Sequence, residues 1–162
     1  MNTQNTSLLL IFYGFSNIAG LLILWAAFRQ PKLARLALVM MFGSAAWVNY
    51  SAAQENPEVY LNYSRYAITW YADFISGWFQ AHITLMVSLI AVGQGMIALG
   101  MIYSGIWMKI ACLGVIVFLI AIAPLGFGAA FPFSLTVAFA AWKIIHKDDG
   151  APLWSRGAFF SD

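Results

Sequence analysis

A chain of 162 residues with 62% hydrophobic and only 9% charged side chains is long enough for one domain but cannot cover a water-facing surface. Its formal net charge of +2 gives no electrostatic reason to bind nucleic acid. The single cysteine, Cys112, excludes an internal disulfide and a multi-cysteine metal centre. Lipid is therefore the expected solvent, and residues 1–162 read as one all-α membrane domain.

Residues 7–28, SLLLIFYGFSNIAGLLILWAAF, carry no charge and reach across about 30 Å of hydrocarbon at about 1.5 Å per residue. No Lys or Arg precedes Arg29, and the run exceeds the about 7–15 apolar residues of a cleavable signal, so a true span is expected. The turn RQPKLAR follows, with Pro31 as the breaker. Residues 36–53 form the second span, with Gly43, Ser44, Ala45 and Ala46 at its middle.

Residues 56–82, NPEVYLNYSRYAITWYADFISGWFQAH, are neither plainly apolar nor a plain tail. Asn56, Pro57 and Glu58 are a helix-start signal: a cap, a preset first φ and a favourable charge at the dipole's positive end. Tyr63, Tyr66, Trp70, Phe74 and Trp78 recur at three- and four-residue steps, as do Asn62, Arg65, Thr69, Asp73, Ser76 and Gln80. This spacing predicts an amphipathic helix over about 57–76, lying at the outer headgroup level with an aromatic face. Arg65 and Asp73 lie eight residues apart, about 12 Å along a straight helix, and must seek other partners.

The third span covers about 78–103, with a turn at Ser104 and Gly105. The next uncharged run, 110–142, would reach about 50 Å as one helix, so it must turn. Pro124, Gly126, Gly128 and Pro132 supply the break, giving a fourth span over about 106–123 and a fifth over about 129–145. A re-entrant hairpin after four spans is the alternative for this last pair. With the N-terminus outside, Arg29, Lys32, Arg35, Lys109, Lys143, Lys147 and Arg156 fall inside and only Arg65 outside, a positive-inside bias that favours five spans. The tail 146–162 is then cytoplasmic. It is either loosely ordered or touches the membrane or a partner through Trp154, Phe159 and Phe160.

Asn17 and Gln94 fall near the middle of spans one and three, where an unbonded amide is expensive. They either bond between helices or line a polar or quinone-sized pocket, which Asn49 and Ser51 could join. Asn17, Asn49, Arg65, Trp70, Asp73, His82 and Gln94 are the candidate ligand-binding set. Cys112 reads as a buried, inert thiol, and small residues at four-residue steps, such as Ala91 and Gly95, read as helix-packing ridges. No acid lies in a span core, the two histidines fall at opposite faces, and no nucleophile motif is present. No catalytic or metal residue is therefore predicted.

The order of a polar-interrupted first span, an outer segment reading WYADFISGW, and a glycine-rich third span VSLIAVGQGMIALGMIYSG followed by WMKIACLGVIVFLIAI resembles the DoxX-like group of small bacterial membrane proteins over about residues 60–122. Where that family often carries an acid ahead of the third-span glycines, Gln94 stands between Gly93 and Gly95. The resemblance implies a multi-pass protein of the bacterial cytoplasmic membrane, associated with redox enzymes, sulfur or quinone chemistry among them. The leading expectation is a non-enzymatic membrane subunit or assembly factor, working with other subunits or as a homo-oligomer. The rival is a carrier or binder of a small lipophilic molecule, a lipid or quinone, in a pocket between the spans roofed by the outer aromatic helix. An enzyme using Asp73, Arg65 or His82 at the headgroup level is the third.

Overall fold

The computed structural model describes residues 3–154 of the chain, with side chains from Ser7 onward. Arg156, Phe159 and Phe160 lie outside the described residues. Every regular element among the described residues is helical. Helix α1 (Thr3–Arg29) and helix α2 (Pro31–Glu55) are joined by Gln30 alone. Pro31 is the first residue of α2, where its preset φ suits the helix and its missing N–H is no loss. Helix α4 (Ile83–Ile102) and helix α5 (Ile106–Ile122) are joined by a turn through Gly105 at φ +61°. A 3-10 segment, Ala123–Ala129, turns the chain into helix α6 (Phe133–Lys147). Four helices are long and apolar enough to cross a membrane: Ser7–Arg29, Pro31–Glu55, Ile83–Ile102 and Ile106–Ala129.

The bundle has two chemically distinct ends. At the basic end the α1–α2 turn, the α4–α5 turn and the end of α6 meet. Lys147 Nζ donates to Phe28 O at 3.1 Å, satisfying a carbonyl that the end of α1 leaves free. Lys143 Nζ sits 4.9 Å from the ring centres of both Phe28 and Trp142. At the other end, Tyr13 stacks on Phe127 at 4.7 Å and its hydroxyl donates to Phe131 O at 2.6 Å. Helix α6 thus runs beside α1 and parallel to it, from the level of Tyr13 to that of Phe28. At about 1.5 Å per residue its 15 residues extend about 22 Å.

Small residues set the closest approaches, as their spacing predicts. Gly43 faces Ala98 and Gly95 faces Ala46 across the α2–α4 seam. A Cβ added at Gly100 would stand 2.8 Å from the Ala111 Cβ. The core runs along this contact through Leu38, Phe42, Met101, Met108 and Val115. Cys112 is fully buried there, its Sγ 3.8 Å from Met101 Sδ and 3.7 Å from Met108 Sδ.

The single amphipathic helix expected over 57–76 is instead broken. Pro57–Arg65 is a 3-10 helix, Tyr66 to Ile68 form a turn, and helix α3 covers only Thr69–Phe74 before a π-helical stretch, Ile75–Phe79. Local and tertiary bonds outweigh the helical period. Asn62 and Ser64 donate to carbonyls three residues back, a spacing that suits the tighter turn. Ile68, extended at ψ 153°, donates its backbone N–H to Pro124 O at 3.1 Å. The π stretch surrounds Gly77, and the chain bends again at His82 before α4 begins, five residues later than the expected third span.

Candidate ligand-binding cavity

The broken segment 57–79 covers a crevice between α2, α4 and α5. Near the basic end α4 and α5 are in tight contact: Gly100 meets Ala111, and Ile97 closes on Gly114. Toward the aromatic end they part, with Met86, Ile90 and Gln94 on one wall and Phe118 and Ile122 on the other. The space between is a cavity of about 380 Å³, partly open to the bundle surface. That volume lies in the usual range of about 300–1,000 Å³ for small-molecule sites. Tyr60 and Tyr63, Tyr71 and Phe74, and Ile75 and Phe79 form the roof.

Two glycines let the roof close. Gly126, at φ +57° and ψ −120°, adopts a backbone that residues with a Cβ avoid, and a Cβ there would meet Tyr66 O at 2.9 Å. A Cβ on Gly128 would stand 2.7 Å from the Tyr63 ring. The 3-10 segment after α5 is therefore shaped to seat the roof, and Tyr71 Oη adds a bond to Ala121 O at 3.0 Å.

The floor is polar. Tyr60 Oη donates to Asn49 Oδ1, and Asn49 Nδ2 donates to Gln94 Oε1 at 2.6 Å. Gln94 is only 4% exposed. Its Nε2 makes no hydrogen bond with any described residue. Burial, reinforced by the neighbouring Tyr63 phenol, raises the Tyr60 hydroxyl above its ordinary value of 10.0, so it stays protonated and donating. No Asp, Glu, Lys, Arg or His lines the cavity.

Of the seven candidate residues, Asn49 and Gln94 come together here. The other five lie elsewhere. Asn17 bridges Tyr13 O at 3.0 Å and Ala130 O at 3.1 Å, serving the left-handed turn at Ala130. Trp70 is exposed and stands edge-on to Tyr71 at 5.2 Å. Arg65 and Asp73 are exposed, with no ion pair to any described residue. His82 is exposed, stacks on Trp78 at 4.7 Å and bonds Trp78 O through Nδ1 at 2.9 Å. His146 repeats this arrangement on Trp142 at the basic end. Tyr60 was not a candidate: it stands one three-residue step ahead of Tyr63, and nothing in that spacing sets it apart from the other aromatic residues of the segment. Its role appears only where the 3-10 helix turns its hydroxyl down onto Asn49. Among the described residues no group of three His, Cys, Asp or Glu could hold a metal ion.

A second buried polar cluster ties the basic end. Arg35, fully buried one turn into α2, donates Nη1 to Asp148 Oδ1 at 2.9 Å and to Ala151 O at 2.9 Å. Its Nη2 reaches Met101 O at 2.8 Å and Tyr103 O at 2.6 Å, at the end of α4. Gly105 N–H donates to Gly150 O and Leu153 N–H to Ile102 O. Residues 148–153 are therefore docked, in contrast to the loosely ordered alternative for this stretch. Arg35 in sequence reads only as one more inside charge.

Comparison with protein-family models, with curated proteins and with solved structures gives no match. The cavity's geometry is the ground for a functional reading.

Proposed function

We propose that this protein binds a small lipophilic molecule, a lipid or a quinone, in the cavity beneath residues 57–79. One observation carries the reading: a hydrogen-bonded polar floor, Tyr60–Asn49–Gln94, at the base of an otherwise apolar, aromatic-walled space. A bundle that served only as packing material would fill such a space with side chains, since protein interiors are close-packed. The amides here are instead kept at the edge of a void. A mostly apolar pocket with a few converging polar groups is the usual form of a small-molecule site.

The chain crosses the membrane five times in this reading, with α6 as the short fifth span and the broken aromatic segment at the outer headgroup level. Aromatic rings with polar tips favour that level. The N-terminus lies outside and the basic end faces the cytoplasm of a bacterial cell. Support comes from the sidedness of charge: Arg29, Lys32, Arg35, Lys109, Lys143 and Lys147 share one end of the bundle, and Arg65 stands at the other. A role as a subunit or assembly factor of a quinone-linked complex, in line with the DoxX-like resemblance, is compatible with this. The cavity would then hold that complex's lipid or quinone.

The test is extraction and mass spectrometry of small molecules from protein purified in mild detergent, for the wild type and for Ile90→Trp. Ile90→Trp places a large ring in the cavity. The expected result is a near-stoichiometric lipophile that the variant loses while staying folded. No lipophile above detergent background, or equal occupancy in the folded variant, would overturn the reading. Orientation is tested by labelling Asn62→Cys and Asp149→Cys in intact cells; access to both from one side refutes the five-span topology.

A further inference from the structure

We infer that the head of the molecule held in this cavity is an uncharged hydrogen-bond acceptor, a carbonyl oxygen, read by the Gln94 side-chain amide. This rests on the lipophile-binding reading above and narrows it to a chemical class.

The first step is charge. Every residue lining the cavity is neutral. A phosphate, carboxylate or ammonium head placed beside Gln94 would lose its water and gain no counter-ion. That desolvation strongly disfavours an ion there. The fitting head group is therefore polar but uncharged.

The second step is direction. Tyr60 Oη gives its one proton to Asn49 Oδ1. Asn49 in turn gives an amide proton to Gln94 Oε1. The acceptor of Gln94 is thereby occupied, and both protons of its Nε2 stand without a protein partner among the described residues. The relay ends in donors at the cavity, and only an acceptor completes it. A head group that donates, such as a hydroxyl seeking an oxygen, needs all three side chains to reverse together.

The third step is shape. Phe79 and Phe118 present apolar faces, while Ile90 and Ile122 stand on opposite walls of the α4–α5 crevice. An acyl or prenyl tail fits against this apolar lining while the carbonyl stays at Gln94. Two sources share this chemistry: a quinone ring and the acyl ester of a neutral lipid.

The experiment measures binding of matched decyl compounds to the detergent-purified wild type and to Gln94→Leu. The compounds are a decyl benzoquinone, its hydroquinone, methyl decanoate, decanoate ion, decanol and decylbenzene. Carbonyl compounds should bind at least about tenfold tighter than decylbenzene and the decanoate ion, and Gln94→Leu should erase that margin, as one hydrogen bond is worth about a factor of ten. Preference for the quinone over the ester, or the reverse, names the source. Because Gln94→Leu can disturb folding, the infrared stretch of a 13C-labelled carbonyl is read on the wild type as well. It should shift to lower frequency on binding. Equal binding of decylbenzene overturns the carbonyl inference and leaves the lipophile reading standing. Tighter binding of the hydroquinone and decanol overturns it by showing the relay reversed. An unshifted carbonyl in a compound that does bind overturns it too. Binding of none of the six overturns both.

Discussion

Arg35 Nη1 donates to Asp148 Oδ1 at 2.9 Å, with both side chains shut away from solvent and a sequence separation of 113 residues. The same guanidinium holds three backbone carbonyls, at Met101, Tyr103 and Ala151. One side chain thus closes α2, α4 and the segment after α6 onto each other. A planar fork of donors can do this; a lysine, with a single compact ammonium, cannot. Arg35→Ala leaves the Asp148 carboxylate buried and unpaired, which destabilises a fold by about 3–5 kcal/mol. The loss is expected in denaturant unfolding followed by tryptophan fluorescence, and Arg35→Lys should recover only a small part of it.

Asn49 is the middle of the cavity-floor relay, so its removal strands two neighbours. In Asn49→Leu the Tyr60 hydroxyl loses its acceptor and Gln94 Oε1 its donor. Leaving buried polar groups unsatisfied is unfavourable by about 1–3 kcal/mol each. The variant should unfold earlier and bind lipophile more weakly, because nothing then fixes the Gln94 amide. A double variant with Tyr60→Phe should lose less than the sum of the two single changes, since they break one shared bond.

Gly126 joins two requirements in one residue: a positive φ and a Cβ position 2.9 Å from Tyr66 O. Gly126→Ala is expected to destabilise by about 1–3 kcal/mol. It should also lift the 57–65 segment, which hydrogen exchange at Ile68 N–H would report, since that group bonds to Pro124 O.

Lys32 Nζ lies 2.9 Å from Asp149 Oδ2. Its hydrogen bond, followed by one from the Ala151 backbone, holds the Asp149 carboxyl below its ordinary value of 3.8. The folded chain therefore binds that proton less tightly than the unfolded one. The resulting stabilisation is fully present above about pH 4 and is lost as pH falls through the lowered folded value. Asp149→Asn should lower stability slightly at neutral pH and leave it unchanged at the acid end, so that the two stability–pH curves converge in acid; the difference is small because Asp149 is largely exposed and the pair is screened.

Arg65, Asp73 and His82 face outward at the aromatic end, away from the cavity lining. Arg65→Gln, Asp73→Asn and His82→Ala should each shift stability by less than about 0.5 kcal/mol and leave lipophile binding intact. A large loss of binding in any one of them would place the site at the headgroup surface, in keeping with the enzyme expectation.

Much of the architecture was legible in the residues. Uncharged runs located the four long apolar helices, because length and the absence of charge are what a bilayer core demands. PLGFGAAFP located the turn before α6, since Pro removes a donor and Gly126 accepts a positive φ. Gln94 and Asn49 stood out as amides in apolar surroundings, where each needs a partner. The aromatic period from Tyr63 to Trp78 was misleading. Periodicity registers one helix in isolation, whereas Ile68 N–H finds Pro124 O and the Tyr63 ring finds Gly128, both from distant chain.

By itself, then, the sequence determined the solvent, the four long apolar helices and the two ends of the bundle, because composition and charge act residue by residue. Only the tertiary structure decided what the polar residues are for. Asn17, Asn49 and Gln94 are the same kind of side chain in the same kind of run, yet Asn17 secures a turn while the other two floor a cavity. Arg35 and Lys32 are both basic residues of one short turn region, yet one is the buried centre of a lock and the other a surface pair. A hydrogen bond depends on where its partner is, and these partners come from distant chain, as Arg35 finds Ala151 at a separation of 116 residues.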